Sequence, residues 1–172
     1  IGLHSNVTIM YGAVEEPIHW ARHLVLTRDL QKENVAAGRV GFTEFVGLPF
    51  VHMASPIYLQ RKARRGPTFR ENVLMHSVAR LAYGALIPNI QASWVKMGHE
   101  GVKACLNAGC NDLGGTLMNE SISRAAGTNH GQETSPLEML GMITDAGRTP
   151  RQRTTLYGDV SQERVAAGLA AG

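Results

Sequence analysis

Three hydrogen-bonding side chains at alternate positions, Asn89, Gln91 and Ser93, interrupt an otherwise apolar stretch, and Trp94 follows them directly. Side chains along a strand alternate between its two faces, so in an extended segment these three share a face. Burying them unpaired is costly, which leaves two arrangements: they satisfy one another, or they meet a polar ligand. A flat heterocycle with donors and acceptors around its rim, such as a pyrimidine, suits two amides, a hydroxyl and a flanking indole. A second polar set lies at Asn111, Asp112, Gly114, Gly115, Thr116, Asn119 and Glu120. Asp112 is its best-placed acid, and the paired glycines permit close backbone approach and free amides for an anion or polar tail. Glu120 precedes Ser121, Ser123 and Arg124, where a carboxylate serves as helix cap or as ligand contact. A third group, Tyr11, Gly12, Glu15, Pro49 and His52, closes two earlier apolar runs. Taken singly, each glycine is equally a turn former. As a set, they point to one polar chamber.

Other combinations point away from chemistry. His19 and His23 stand four apart, but His-Trp-Ala-Arg-His lacks the glutamate of the zinc-protease pattern, so no metal site is expected. Cys105 and Cys110 have no second pair, which excludes a disulfide framework or a zinc site; Cys105 is expected buried and Cys110 near a strand end. Arg61, Lys62, Arg64 and Arg65 form the densest basic stretch, carry no aromatic platform and read as a solvated loop.

The elements that must position the polar sets repeat. Four apolar runs, at 6–11, 42–50, 86–94 and 111–117, behave as strands, and helical patterns follow them. Glu15, Glu16 and Pro17 suit a helix start, with Ile18, Ala21, Leu24, Val25 and Leu30 as its apolar face. Thr68 and Glu71 form a capping-box pattern before a helix whose expected inward face is Leu74, Val78, Leu81 and Ala82, and Gly84 ends it. A helix is expected over 100–108. Ser135, Pro136 and Glu138 open a last one that ends near Gly147. Parallel strands need crossovers, and strand spacings of about 20 to 45 residues fit βα units rather than hairpins. Four such units make half of an eightfold barrel, with function at the carboxyl ends of the strands. Residues 1–147 are assigned to this half-barrel and 148–172 to an extension on its exterior or fraying. The chain opens at Ile1 almost directly in a strand, and four strands alone leave two unpaired edges, so the expectation is a cut barrel.

Composition agrees with a packed domain. Of 172 residues, 44% are hydrophobic and 18% charged, with a net charge of +3 that is spread out and does not indicate nucleic acid. No apolar run reaches the roughly 18 residues of a membrane span, and no basic, then apolar, leader opens the chain. The expected compartment is the cytoplasm.

Several stretches carry a family resemblance: TIMYGAVEEPIHWARHL, GFTEFVGLPFVH, GPTFRENVLMHSVARL, LIPNIQASWVKMG and, above all, NDLGGTLMNESISRAAGTNHGQE with AGRTPRQRTTLYG. Together they resemble the 4-hydroxyphenyl transferase part of the FO synthase family over residues 1–158. The resemblance implies the C-terminal half of a radical S-adenosylmethionine (SAM) TIM-type barrel. The enzyme it implies has a [4Fe-4S] cluster: a 5′-deoxyadenosyl radical takes a hydrogen from tyrosine, and the hydroxybenzyl part joins 5-amino-6-(D-ribitylamino)uracil. A ring-closing subunit or domain then completes the deazaflavin chromophore of coenzyme F-420. Gly12 and Glu15 match the second half of the family's fifth-strand SAM motif, with Thr8 and Met10 where glycine and isoleucine usually stand. The resemblance places Met10, Phe50 and Val51 against the adenine of SAM. Asn89, Gln91, Ser93, Trp94, Asp112, Gly114, Gly115, Thr116 and Glu120 would serve tyrosine and the ribityl-uracil. The cluster's CxxxCxxC loop is absent, so the ligands of the iron–sulfur group and the N-terminal half of the barrel are expected outside this chain, which alone would be inactive. Sister radical SAM enzymes of menaquinone synthesis (aminofutalosine synthases and cyclases), a non-catalytic half-barrel, and a phosphate-binding barrel using Gly114 and Gly115 are the alternatives.

Overall fold

The computed structural model describes residues 2–170. Its elements run β1 (Ser5–Tyr11), α1 (Pro17–Ala36), β2 (Phe42–Pro49), α2 (Pro56–Leu59), α3 (Phe69–Tyr83), β3 (Asn89–Ala92), α4 (Trp94–Asn107), α5 (Ile122–Ala125), α6 (Pro136–Asp145) and α7 (Gln162–Ala170). The three strands form one parallel sheet in the order β1-β2-β3, with Val7 opposite Phe45 and Glu44 opposite Asn89. This is an α/β fold, as the alternation of apolar runs and helical patterns requires.

Helices cover one face of the sheet. Side chains that alternate onto that face, Val7, Tyr11, Phe45, Ile90 and Ala92, are all buried. Tyr11 meets Trp20 of α1 edge-on at 5.5 Å between ring centroids, and Phe45 meets Tyr83 of α3 at 5.4 Å. Such aromatic contacts add to what area burial alone contributes.

Both long helices begin where the sequence places them, but of their expected inward residues only Leu24 is fully buried. In α1 the buried residues are Trp20, Leu24, Thr27 and Gln31, whereas Ile18, Val25 and Leu30 are exposed. In α3 they are Met75, His76, Ala79 and Tyr83, while Leu74, Val78 and Leu81 face out. The reason is polar. Thr27 Oγ1 pairs with the Tyr83 hydroxyl at 2.8 Å, and Gln31 donates to the carbonyls of Phe42 and Leu86 while accepting from the Phe42 amide. A polar side chain with all its partners is an acceptable core residue, and a count of apolar periodicity overlooks it.

Two other expectations change. The helix after β3 starts at Trp94 and is broken by a non-helical Gly98, so the third strand is shorter than the apolar run. The fourth strand reduces to a single bridge between Gln91 and Asp112, with Asn111 donating to Ile90 O and Ala92 to Asp112 O. Beyond that bridge Gly114 takes φ +74°, a left-handed conformation that ends extended pairing. The tail does not fray on the exterior: residues 148–158 return to the sheet face that the helices leave open, where Arg153 reaches Asp112 and Tyr157 reaches Glu44.

Candidate functional site

The turn after β1 is built around a carboxylate. Glu15 folds back to accept from the amides of Gly12, Ala13 and Val14 and from Trp20 Nε1 at 2.9 Å. Partial burial pushes its pKa up, but these donors outweigh that and hold it below the usual carboxylate range. Gly12 has φ +91°, and a Cβ there would overlap the Pro67 ring, so only glycine fits. Glu15 thereby shapes the turn from inside. Phe50 is buried beside it, its amide donating to Tyr11 O, and Val51 is half-buried, whereas Met10 is 60% exposed on the open face. Of the basic stretch, Arg64 is structural: it bonds Glu71 at 3.0 Å and lies 5.6 Å from the Trp20 ring centre.

On the open face, Gln91 of the first polar set and Asp112 of the second join one network, which the Gly12 and Glu15 set does not enter. Gln91 Nε2 donates to Glu44 Oε2 at 3.0 Å, and the Tyr157 hydroxyl donates to the same oxygen. Arg153 grips Asp112 with both Nε and Nη2 and stacks over the Tyr157 ring at 4.1 Å. Asp112 also accepts from the Gly114 amide at 2.6 Å, and Asn89 donates to Thr43 O at 2.8 Å. The Asp112 ion pair pushes the Arg153 pKa up; burial, then the Glu44 bond, push the Tyr157 phenol up, so both keep their protons. Asp112 and Gln91 are therefore fixed by protein partners.

The remaining predicted residues sit along the edge beyond β3. Trp94 is buried and pins Gly115 O through Nε1 at 3.0 Å. Ser93 precedes α4 and makes no capping bond through its side chain. Glu120 caps the Ser123 amide with both oxygens, while the Thr116 carbonyl accepts from Thr134. A groove of about 1060 Å³ follows this edge, lined by Asn89, Asp112, Gly114, Gly115 and Thr116 on one side and by α6, α7 and residues 148–153 on the other. It does not reach Gly12 or Glu15, which belong to the opposite edge of the sheet.

Four functional candidates were not singled out from the sequence. Glu44 is the one acid inside the second apolar run and needed a partner there. Arg153 and Tyr157 stand in the quoted stretch AGRTPRQRTTLYG, which was assigned to an outer extension. Lys96 Nζ donates to Ser123 Oγ at 3.0 Å, and burial lowers its pKa against the pull of Glu120. His76, Cys105 and Cys110 form a buried knot on the helix-covered side, each offering one ligand atom within 4.8 Å of the others. There the Cys105 thiol is held down by the Cys110 thiol and by His76, against its own burial, and Cys110 is pushed up by the same contact. An iron–sulfur cluster of the implied kind needs three thiolates on one loop; two cysteines and a histidine deep under helices do not fit it. Cys110 lies in this knot at the start of the fourth extended segment, as expected near a strand end, and also lines the groove beside Asn111 and Asp112. Among the described residues, no helix is long and apolar enough to cross a membrane.

Comparison with known proteins agrees on one family. The family described as "CofH/MqnC C-terminal region" matches residues 39–164. The chain is 50% identical over 157 residues to an FO synthase of Mycobacterium leprae, covering 91% of this chain and 18% of the relative. It is 47% identical over 170 residues to an FO synthase of Streptomyces avermitilis, with 99% and 19% covered. To the 5-amino-6-(D-ribitylamino)uracil--L-tyrosine 4-hydroxyphenyl transferase of Methanopyrus kandleri it is 49% identical over 157 residues, covering 91% of this chain and 41% of that protein. The chain thus spans less than half the length of each of these relatives.

Proposed function

The chain belongs to the CofH/MqnC C-terminal family, and from that premise we propose that it is the carboxyl-terminal part of a transferase acting on tyrosine and 5-amino-6-(D-ribitylamino)uracil in deazaflavin biosynthesis. The observation that carries this reading is the 49% identity to the Methanopyrus transferase across 91% of the chain. The parallel sheet supplies half of a barrel wall over residues 1–147, and residues outside this chain supply the other half. Its open face looks into the reaction chamber.

SAM and an iron–sulfur cluster supply the radical chemistry when bound. The cluster's ligands lie outside this chain. For SAM, the chain offers the exposed Met10 thioether, the Gly12 turn and Val51, with Phe50 packed behind; Glu15 contributes by holding the turn rigid, since its oxygens are engaged by the turn's own amides. Toward the substrates, Asn89, Gln91, Ser93 and Trp94 form one wall. Asp112, Gly114, Gly115, Thr116 and Glu120 form the next. Their role is to orient two reactants and exclude water, because a preset geometry removes much of the entropy barrier of joining them. Gly115, with open space where a side chain would stand, leaves room for a polyhydroxy tail such as ribityl, while Gly114 packs against the Gln91 amide. The ring-closing step falls to a separate domain or subunit, and the setting is the cytoplasm.

The test feeds the full-length protein, loaded with cluster and SAM under anaerobic conditions, tyrosine with ribitylaminouracil. Mass spectrometry should find 5′-deoxyadenosine together with a hydroxybenzyl adduct of the uracil. 5′-Deoxyadenosine formed only with a menaquinone-pathway substrate would replace this reading with the other branch of the family name. No 5′-deoxyadenosine with either would remove the radical reading.

A further inference from the structure

The segment 148–158, set apart by sequence as an outer appendage, lies on the open face at its N-terminal end. One contact ties its start to the helix side, and two more carry Arg153 and Tyr157 onto that face. Arg148 Nη2 donates to the carbonyl of Leu106 in the last turn of α4, the helix that has carried the chain back from the strand ends. Tyr157 bonds Glu44, which is opposite Asn89, the first residue of β3. Arg153 reaches Asp112 and, at 4.0 Å, Glu44. The segment is also internally tied: the Tyr157 and Gly158 amides donate to the carbonyl and hydroxyl of Thr154, the Thr154 amide donates to Gly158 O, and the backbones of Arg153 and Asp159 pair in an isolated antiparallel bridge. Tyr157 sits at φ +64°, a left-handed conformation that a bulky residue holds only where its surroundings impose it.

We infer that residues 148–158 form a strap across the N-terminal end of the open face, and that Arg153 is a positioning residue that fixes Asp112 for the reaction chamber; this deepens the function proposed above and rests on it. The argument is one of charge and geometry. Two carboxylates, Glu44 and Asp112, share a face with one guanidinium. Arg153 makes two parallel bonds to Asp112, which set direction as well as distance, and Asp112 passes that orientation to the Gly114 amide. Glu44 is left to Gln91 and Tyr157, so Gln91 is aligned by the same strap. The Asp112 side chain is 8% exposed. Without Arg153 it would be an anion out of water with no cation beside it, and it would turn toward solvent and take the Gly114 turn with it.

The experiment compares the full-length enzyme with Arg153→Met and Arg153→Lys, measuring adduct formed per 5′-deoxyadenosine and amide hydrogen exchange over residues 148–158. The strap predicts slow exchange in the wild type and faster exchange in Arg153→Met. Positioning predicts that Arg153→Met still cleaves SAM while adduct per 5′-deoxyadenosine falls about tenfold or more, and that Arg153→Lys recovers part of the loss. An unchanged ratio in Arg153→Met, with or without lower thermal stability, overturns the positioning role. Fast exchange over 148–158 in the wild type overturns the strap itself. If the wild type makes no adduct from these substrates, the proposed function fails and the positioning role fails with it, while the exchange result still decides the strap.

Discussion

The two faces of the sheet solve the same problem with opposite means. On the helix-covered face, apolar and aromatic side chains meet partners supplied by the βα units, and the buried polar residues Thr27 and Gln31 are satisfied by the next element or two. On the open face, Glu44 and Asp112 are satisfied by a strap that lies 113 residues after Glu44 in the case of Tyr157, and Gln91 is satisfied by Glu44. The first face is a matter of packing. The second is a polar network, whose members are held firmly when all are paired and loosely when one is missing.

That contrast can be broken by mutation, and the largest effect is expected on the packed face. Phe45→Ala, at a fully buried site against Tyr83, should lower unfolding stability by about 3–5 kcal/mol in urea titration, because the cavity cannot collapse between sheet and helix. A loss below about 1 kcal/mol would show that this face is not the main source of stability. Gln31→Leu comes next, at about 1–3 kcal/mol despite the gain in hydrophobicity, since it orphans the Phe42 amide and the Leu86 carbonyl. Were it neutral, the polar core of α1 would be dispensable and the apolar stripe would be the better guide. On the open face Tyr157→Phe removes one hydrogen bond and should lower stability by about 0.5–1.5 kcal/mol in the same titration. The smallest effect belongs to Glu15→Gln. Because the folded pKa of Glu15 lies below its ordinary value of 4.5, its contribution is present above that pH and is lost as pH falls through the folded value. The variant should therefore be slightly less stable than wild type at pH 7, and the difference should close as pH falls below 4.5, which thermal melts across an acid series would reveal.

How much was legible in the sequence follows the same division. Local signals were read correctly: both Thr68–Glu71 and Ser135–Glu138 form reciprocal capping boxes, and the first two strands fall where the β-branched runs predict. For the inward faces of α1 and α3 the apolar stripe gives Leu24 but not Gln31 or His76, because periodicity weighs polar residues as surface. The fourth strand was overread, since Asn111, Asp112 and Leu113 look extended but Gly114 turns the chain. For the candidate site, the alternation of Asn89 and Gln91 and the importance of Asp112 were visible. Their partners were not, because nothing local in a strand records that an arginine some 40 positions later will face it: Asp112 and Arg153 are 41 residues apart.

The order in which the chain is made gives this separation a further meaning. A ribosome delivers Glu44 long before Tyr157, and domains gain structure as they emerge. The helix-covered face can assemble once α6 has added Met142 and Ala146 to the core, whereas the carboxylates opposite remain hydrated until residues 153–157 emerge to cover them. Interrupting synthesis a few residues before Arg153 would thus leave a packed face already formed beside one wet wall, which makes the arrival of residues 153–157 the moment at which that surface is finished.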